Sequence, residues 1–212
     1  MLIKFGIIQK RWRMILKKIK EMSTKNKKIT VCAAALICVL IVTGIVMFVS
    51  NRTADIKRSQ NLLNDAKTEI ENLKKEIPAL DRNTFITIDN KVVVGFVEIK
   101  ELNICYPVIN AFNDNTYNYS LCRTGNNMPW DIEGMTIYGI DSFTESLNDM
   151  KDGQNLVFED LAGEKHEYRY DKNYTENNRD NNIKNYNDYG IKICNVEKNG
   201  KEKKFFIFVQ KK

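Results

Sequence analysis

Histidine is almost missing from this chain: one, His166, among 212 residues. The scarcity excludes much. Zinc centres draw on several histidines or on closely spaced cysteine pairs, and no CxxC motif is present, so neither a metal site nor a cofactor is expected. Acids are nearly absent from residues 1–28, where Glu21 faces ten lysines and arginines. Charge and proline are both wanting from "ITVCAAALICVLIVTGIVMFV", residues 29–49. Of 33 basic and 27 acidic residues, ten and one lie in that first segment, leaving 23 against 26. The remainder is therefore slightly acidic, which speaks against a nucleic-acid partner.

What is there begins with the apolar run. At about 1.5 Å per helical residue it reaches roughly 30 Å, the thickness of a bilayer core. A secretory signal peptide has a shorter apolar stretch and a small-residue cleavage site, so an uncleaved signal anchor is expected. The basic flank keeps the N-terminus in the cytoplasm and sends residues 52–212 outside, giving a single-pass protein of the cell membrane. Residues 1–20, "MLIKFGIIQKRWRMILKKIK", suit a basic helix on the inner leaflet or a disordered tail, and both remain open. Of five cysteines, Cys32 and Cys38 sit in the anchor. Cys105, Cys122 and Cys194 lie beyond it, an odd set in which a pair would leave one thiol over.

Past the anchor, "TADIKRSQNLLNDAKTEIENLKKEI" places Ile56, Leu63, Ala66, Ile70, Leu73 and Ile77 at alternating steps of three and four. This is a heptad seam. It could join two copies through 56–77, with Glu69 and Lys74 facing a parallel partner, or pack on the neighbouring domain. The short linker to the first strand favours packing. From residue 84 the texture becomes β. Segments 91–99, 103–109, 134–140, 154–160, 165–171, 190–196 and 203–209 are short, rich in β-branched and aromatic residues, and separated by turn residues. No long helix intervenes, so a barrel or sandwich is expected rather than a parallel α/β sheet. Residues 172–189 form a polar loop.

The order of these segments resembles the catalytic domain of the sortases, most closely class B. "VVGFVEIKELNICYPVINAFNDNTYNYSL" carries Pro107, Val108, Asn115 and Tyr117 where that class has a "yPV" strand and a "DN-x-x-Y" stretch. "MTIYGIDSFTESLNDMKDGQNLVFEDLAGEKHEYRY" supplies Tyr138, Gly139, Phe143, Leu147, Lys151, Gly153, Gly163, Tyr168 and Tyr170 for the next block. "IKIC", ending in Cys194, stands at the family's "TLxTC" strand, and "KKFFIFV" at its closing strand.

The resemblance implies an all-β, closed barrel of about seven to eight short strands over 84–212. Before it come a basic segment (1–28), a transmembrane anchor (29–49) and an amphipathic helix (52–77). It also implies a cysteine transpeptidase at the surface of a Gram-positive cell, joining surface proteins to the cell wall through a sorting-motif peptide. A histidine would move protons and an arginine would steady the oxyanion. Here the sequence departs. The family's histidine falls on Ile140, its arginine at or near Lys203 or Lys204, and the threonine before the nucleophile on Ile193. Only the nucleophile position, Cys194, is kept, and the stretch between histidine and cysteine positions is shorter than class B usually has.

These losses set the expected chemistry. An ordinary thiol is only a few per cent thiolate at neutral pH. Lost acid–base help costs about 10²–10⁴-fold, and a lysine lacks the flat fork of arginine. A pseudoenzyme that binds a peptide or surface protein is therefore expected. Its rivals are a divergent active transpeptidase using Cys194 with His166 or Lys204, and a scaffold that dimerises through 56–77. His166 reads as a sheet histidine beside a hairpin. Alternation puts Cys194 with Lys192 on the more open face of its strand, while Cys105 and Cys122 are expected to be packed or paired.

Overall fold

The computed structural model describes residues 14, 24–77, 79–175, 189–197 and 201–210. Apart from Met14 the N-terminal amphipathic segment, with most of the basic stretch 1–28 and most of the polar loop 172–189, lies outside these residues. The chain divides into two units, 1–51 and 52–212.

The first unit contains the whole apolar run, 29–49. Helix α1 (Thr24–Glu76) has one stretch long and apolar enough to cross a membrane. Leu36, Leu40 and Phe48 there are 65%, 71% and 59% exposed. Side chains of that kind, laid bare along successive turns, fit hydrocarbon rather than water.

The second unit is built on a sheet that closes on itself. Its strands are β1 (Ile86–Ile88), β2 (Lys91–Ile99), β3 (Ile104–Asn110), β4 (Leu121–Thr124), β5 (Met135–Gly139), β6 (Asn155–Glu159), β7 (Lys165–Thr175), β8 (Tyr189–Val196) and β9 (Glu202–Gln210). They follow the order β1-β2-β3-β4-β5-β8-β9-β7-β6, and β6 pairs back onto β2, so eight strands form a closed barrel with β1 as an addition. The closure passes through Gly95, where β2 is bulged. A Cβ there would stand 2.3 Å from Phe158 Cζ and 2.8 Å from the Glu159 carbonyl, so only glycine lets β6 come alongside. All seven strands expected from the sequence are present. The two it missed are short: β4, and β1, which is joined to β2 by Asp89 and Asn90 at φ 47° and 61°. Two successive positive φ values make the tight turn whose twist suits a hairpin.

Alternation fills the barrel. Val97 and Ile99, Tyr106 and Val108, Ile137, Phe158, Ile191 and Ile193, and Phe206 and Phe208 point inward and are buried. β9 is buried on both faces from Phe205 to Phe208, which explains its unbroken apolar run.

The outer face of one wall is covered by the C-terminal half of α1. Leu62, Leu63, Ala66 and Ile70 are 5%, 5%, 0% and 7% exposed, packed with Val93, Phe96, Ile109, Cys122 and Leu161. The heptad seam is thus spent on the barrel, and the faces a parallel dimer would need are covered. Polar pins set the helix register: Ser59 Oγ lies 3.0 Å from Ser120 Oγ, which donates to the Pro107 carbonyl. Gln60 Nε2 donates to the Cys105 carbonyl at 3.1 Å. Burial of a leucine or isoleucine contributes about 1.5–3 kcal/mol. Leu63→Ala should lower unfolding stability by about 2–5 kcal/mol, read from urea unfolding of the detergent-solubilised chain; an unchanged midpoint would show the seam is not packed.

Cys105 and Cys122 are both free thiols. Burial pushes Cys122 up to about 12, against a smaller lowering by a hydrogen bond with Thr116, and burial raises Tyr168 to about 12 and Tyr106 upward as well. Each group keeps its proton longer folded than unfolded, so the unfolded chain binds fewer protons once pH passes the ordinary value. Stability then falls as pH rises. For Cys122 the slope is at most about 1.4 kcal/mol per pH unit, between about pH 9 and 12. Cys122→Ala should flatten the alkaline limb of a stability–pH curve; an identical limb would contradict this.

Candidate active site

Strand register, not sequence proximity, assembles the surroundings of Cys194. Tyr138 on β5 pairs with Cys194 on β8, Cys194 with Phe205 on β9, and Phe205 with Tyr174 on β7. Partners directly across a ladder point to the same face, so the four side chains form one transverse row on the outside of the barrel. Phe205 and Tyr174 stack at 4.7 Å with 16° between planes. Phe112 meets Tyr138 edge-on at 5.5 Å. Cys194 is 0% exposed within this cluster. Cys194 lies on the face that alternation indicates, yet it is buried there and not open. The outer face bears an aromatic cover of its own, drawn from three other strands and the 111–120 connection. Lys192, two residues back, is only half-buried.

Ile140 follows β5 at the end of the barrel and is 6% exposed, part of the main core. Its carbonyl accepts from the amides of Phe143 at 2.9 Å and Thr144 at 3.2 Å, starting the short helix α2 (Asp141–Thr144) and a following 3-10 turn. Gly139 permits this fold-back. A Cβ on it would meet Thr144 Cγ2 at 2.6 Å and Leu121 Cδ2 at 2.7 Å. A side chain that cannot move a proton thus fills the end of the core.

The polar groups around this turn hold it in place. Asn195 Nδ2 donates to Asp141 Oδ1 at 2.8 Å and to Thr144 Oγ1. Lys203 Nζ pairs with Asp141 Oδ2 at 3.3 Å. Lys204 Nζ donates to Asn148 Oδ1 at 2.7 Å and lies 5.2 Å from the Phe206 ring centre. Arg52 pairs with Glu145, and Ser142 donates to Asp55 Oδ2 at 2.8 Å, so α1 grips the same turn. Phe205, not a lysine, stands across from the sulfur, while Lys204 is in register with Asn195. Sequence reasoning missed Phe112, Tyr174, Phe205 and Asn195 because register is needed to bring them together.

His166 lies elsewhere. It stands eight residues before Tyr174 on β7, so the strand alone separates it from the Cys194 row by roughly 25 Å. Its Nε2 is 2.9 Å from Oδ2 of buried Asp160, and its ring is 4.7 Å from that of Trp130. Oδ1 of Asp160 accepts from the amides of Gly163 at 3.0 Å and Glu164 at 2.9 Å. These are the bonds of a tight β6–β7 hairpin. With one histidine in the whole chain, no imidazole serves Cys194.

Asp160, Glu164 and His166 place three potential metal-ligand atoms within 4.8 Å of one another. Both oxygens of Asp160 are already engaged by the hairpin and the imidazole, which accounts for the cluster without an ion.

No family model matches the sequence, and no curated protein matches it. Solved structures do match in fold. A sortase D5 transpeptidase from Clostridium perfringens superposes with TM-score 0.53 and 11% identity, covering 74% of this chain and 99% of that one. Sortase C1 from Streptococcus agalactiae gives 0.50 and 15%, covering 72% and 89%. Both belong to classes other than B. At these identities the likeness is one of fold: the second unit is a sortase-like barrel.

Proposed function

We propose that this chain is a membrane-anchored, sortase-like pseudoenzyme that holds a peptide or surface protein outside the cytoplasm without cutting it. The observation that carries the reading is the state of Cys194: covered by aromatic side chains, with the chain's one imidazole roughly 25 Å away along β7. Cysteine attack on an amide needs a thiolate, a proton donor for the leaving amine and support for the oxyanion. In this reading the nucleophile position holds a buried sulfur, the histidine position holds Ile140, and the arginine falls at or near Lys203 or Lys204. Lys203 and Lys204 are engaged with Asp141 and Asn148.

The apolar stretch of α1 supports a single-pass anchor, and the basic residues before it support a cytoplasmic N-terminus. Kinship with class B rests on the residue pattern alone. The dimeric-scaffold reading loses its support because Leu63, Ala66 and Ile70 are buried on the barrel.

The test uses the full chain in detergent with a panel of fluorophore–quencher peptides carrying sorting motifs and an amine acceptor. Saturable binding by fluorescence anisotropy is expected, with no cleavage that depends on Cys194. Turnover abolished by Cys194→Ala would refute the pseudoenzyme, and absence of both binding and turnover would remove the binding role.

A further inference from the structure

The barrel has a second mouth, at the start of β5, away from Ile140 and Cys194. Met135 and Thr136 open β5 at this mouth, and Arg123 on β4 pairs with Ile137. A cavity of about 590 Å³ lies here, within the range of small-molecule sites. Val92, Val94, Phe85 and Met128 give it an apolar wall, and Arg123 and Asp131 bring opposite charges to it.

Both charges are held by one loop. Arg123 is 8% exposed, and its Nη1 donates to the Asn126 carbonyl at 3.1 Å and to Met128 Sδ at 3.0 Å. Its Nε and Nη2 donate to Asn110 Oδ1 at 3.1 and 2.7 Å. Every acceptor is neutral. Asp131 Oδ2 accepts from the Met128 amide at 2.7 Å, within a turn closed by the Asp131 amide on the Met128 carbonyl. Burial pulls the Arg123 guanidinium below its ordinary value, and the Asp131 charge opposes that pull. The two groups therefore feel each other. Yet among the described residues no carboxylate comes within 4.0 Å of the Arg123 nitrogens.

A buried guanidinium with only neutral acceptors is costly unless something completes it. Arginine has five N–H donors; the hydrogen bonds to Asn126, Met128 and Asn110 engage four of them, and the spare N–H belongs to Nη2. Asp131 has its second oxygen to offer. Positive and negative groups fixed apart on one cavity, beside an apolar wall, match a ligand with the reverse pair of charges and an apolar body.

We propose that this mouth binds a free α-amino acid with a large apolar side chain. Its carboxylate meets Arg123, its ammonium meets Asp131, and its side chain lies against Val92, Val94 and Phe85. This goes beyond the pseudoenzyme reading and uses none of its residues.

The probe is L-phenylalanine, titrated calorimetrically into the full chain in detergent. Saturable binding is expected. Phenylalaninamide, which lacks the carboxylate, and N-acetylphenylalanine, which lacks the ammonium, should each bind at least about tenfold more weakly, as should L-phenylalanine to Arg123→Gln. Asp131→Asn should weaken L-phenylalanine while leaving N-acetylphenylalanine unchanged. Cys194→Ala should bind L-phenylalanine normally, so failure here is separable from failure of the pseudoenzyme reading. No saturation by about 10 mM, or equal binding of all three compounds, overturns the proposal. Should Arg123→Gln not fold, the ligand series on the natural chain decides by itself.

Discussion

Four neighbouring strands bring Tyr138, Cys194, Phe205 and Tyr174 into a single row across the outside of the barrel. That constraint governs the rest of the account. Once β5, β8, β9 and β7 are paired in this register, the sulfur has aromatic carbon on both sides and Phe112 close by. Dispersion and burial favour this arrangement.

The same logic extends to the adjoining turn. Ile140 completes the core at the end of the barrel, and its carbonyl starts a helix fastened by Asn195, Lys203 and Asp55, while Lys204 and Arg52 fasten the 3-10 turn after it. Polar side chains that could assist catalysis at an open site here bond one another. Helix α1 contributes twice over: its apolar face seals the opposite wall, and its first turns past residue 51 secure α2. The polar groups named at this turn are paired with one another. The less satisfied groups, Arg123 and Asp131, lie at the other mouth.

Much of the fold was legible because the barrel needs inward alternation, and the chain supplies it from Lys91 to Gln210. The seven longer strands announced themselves as short runs of β-branched and aromatic residues set between turn residues. β1 did not, because three residues carry no period; its signal was the Asp89–Asn90 turn. β4 escaped for the same reason. The seam of α1 was legible, and its partner was favoured rightly on linker length. The site was legible only in part. Spacing led to Ile140 and Cys194, but no local pattern reports which residue lies across a ladder. Phe205 therefore went unnoticed beside two more conspicuous lysines, and Cys194 looked open because alternation says nothing of what covers an outer face. Arg123 gave no warning at all: an arginine in a four-residue strand reads as exposed until the loop over it is placed.

The most direct test of the central claim is the chemical accessibility of one atom. The native full chain, in detergent, is exposed to a mild alkylating agent over a range of pH, and modification at Cys194 is followed by peptide mass spectrometry beside half-buried Cys105. The account predicts that Cys194 stays largely unmodified until the chain is unfolded and reacts more slowly than Cys105 throughout. Rapid modification of Cys194 in the native chain, with an apparent pKa well below about 8, would mean an activated and open thiol, and would contradict it.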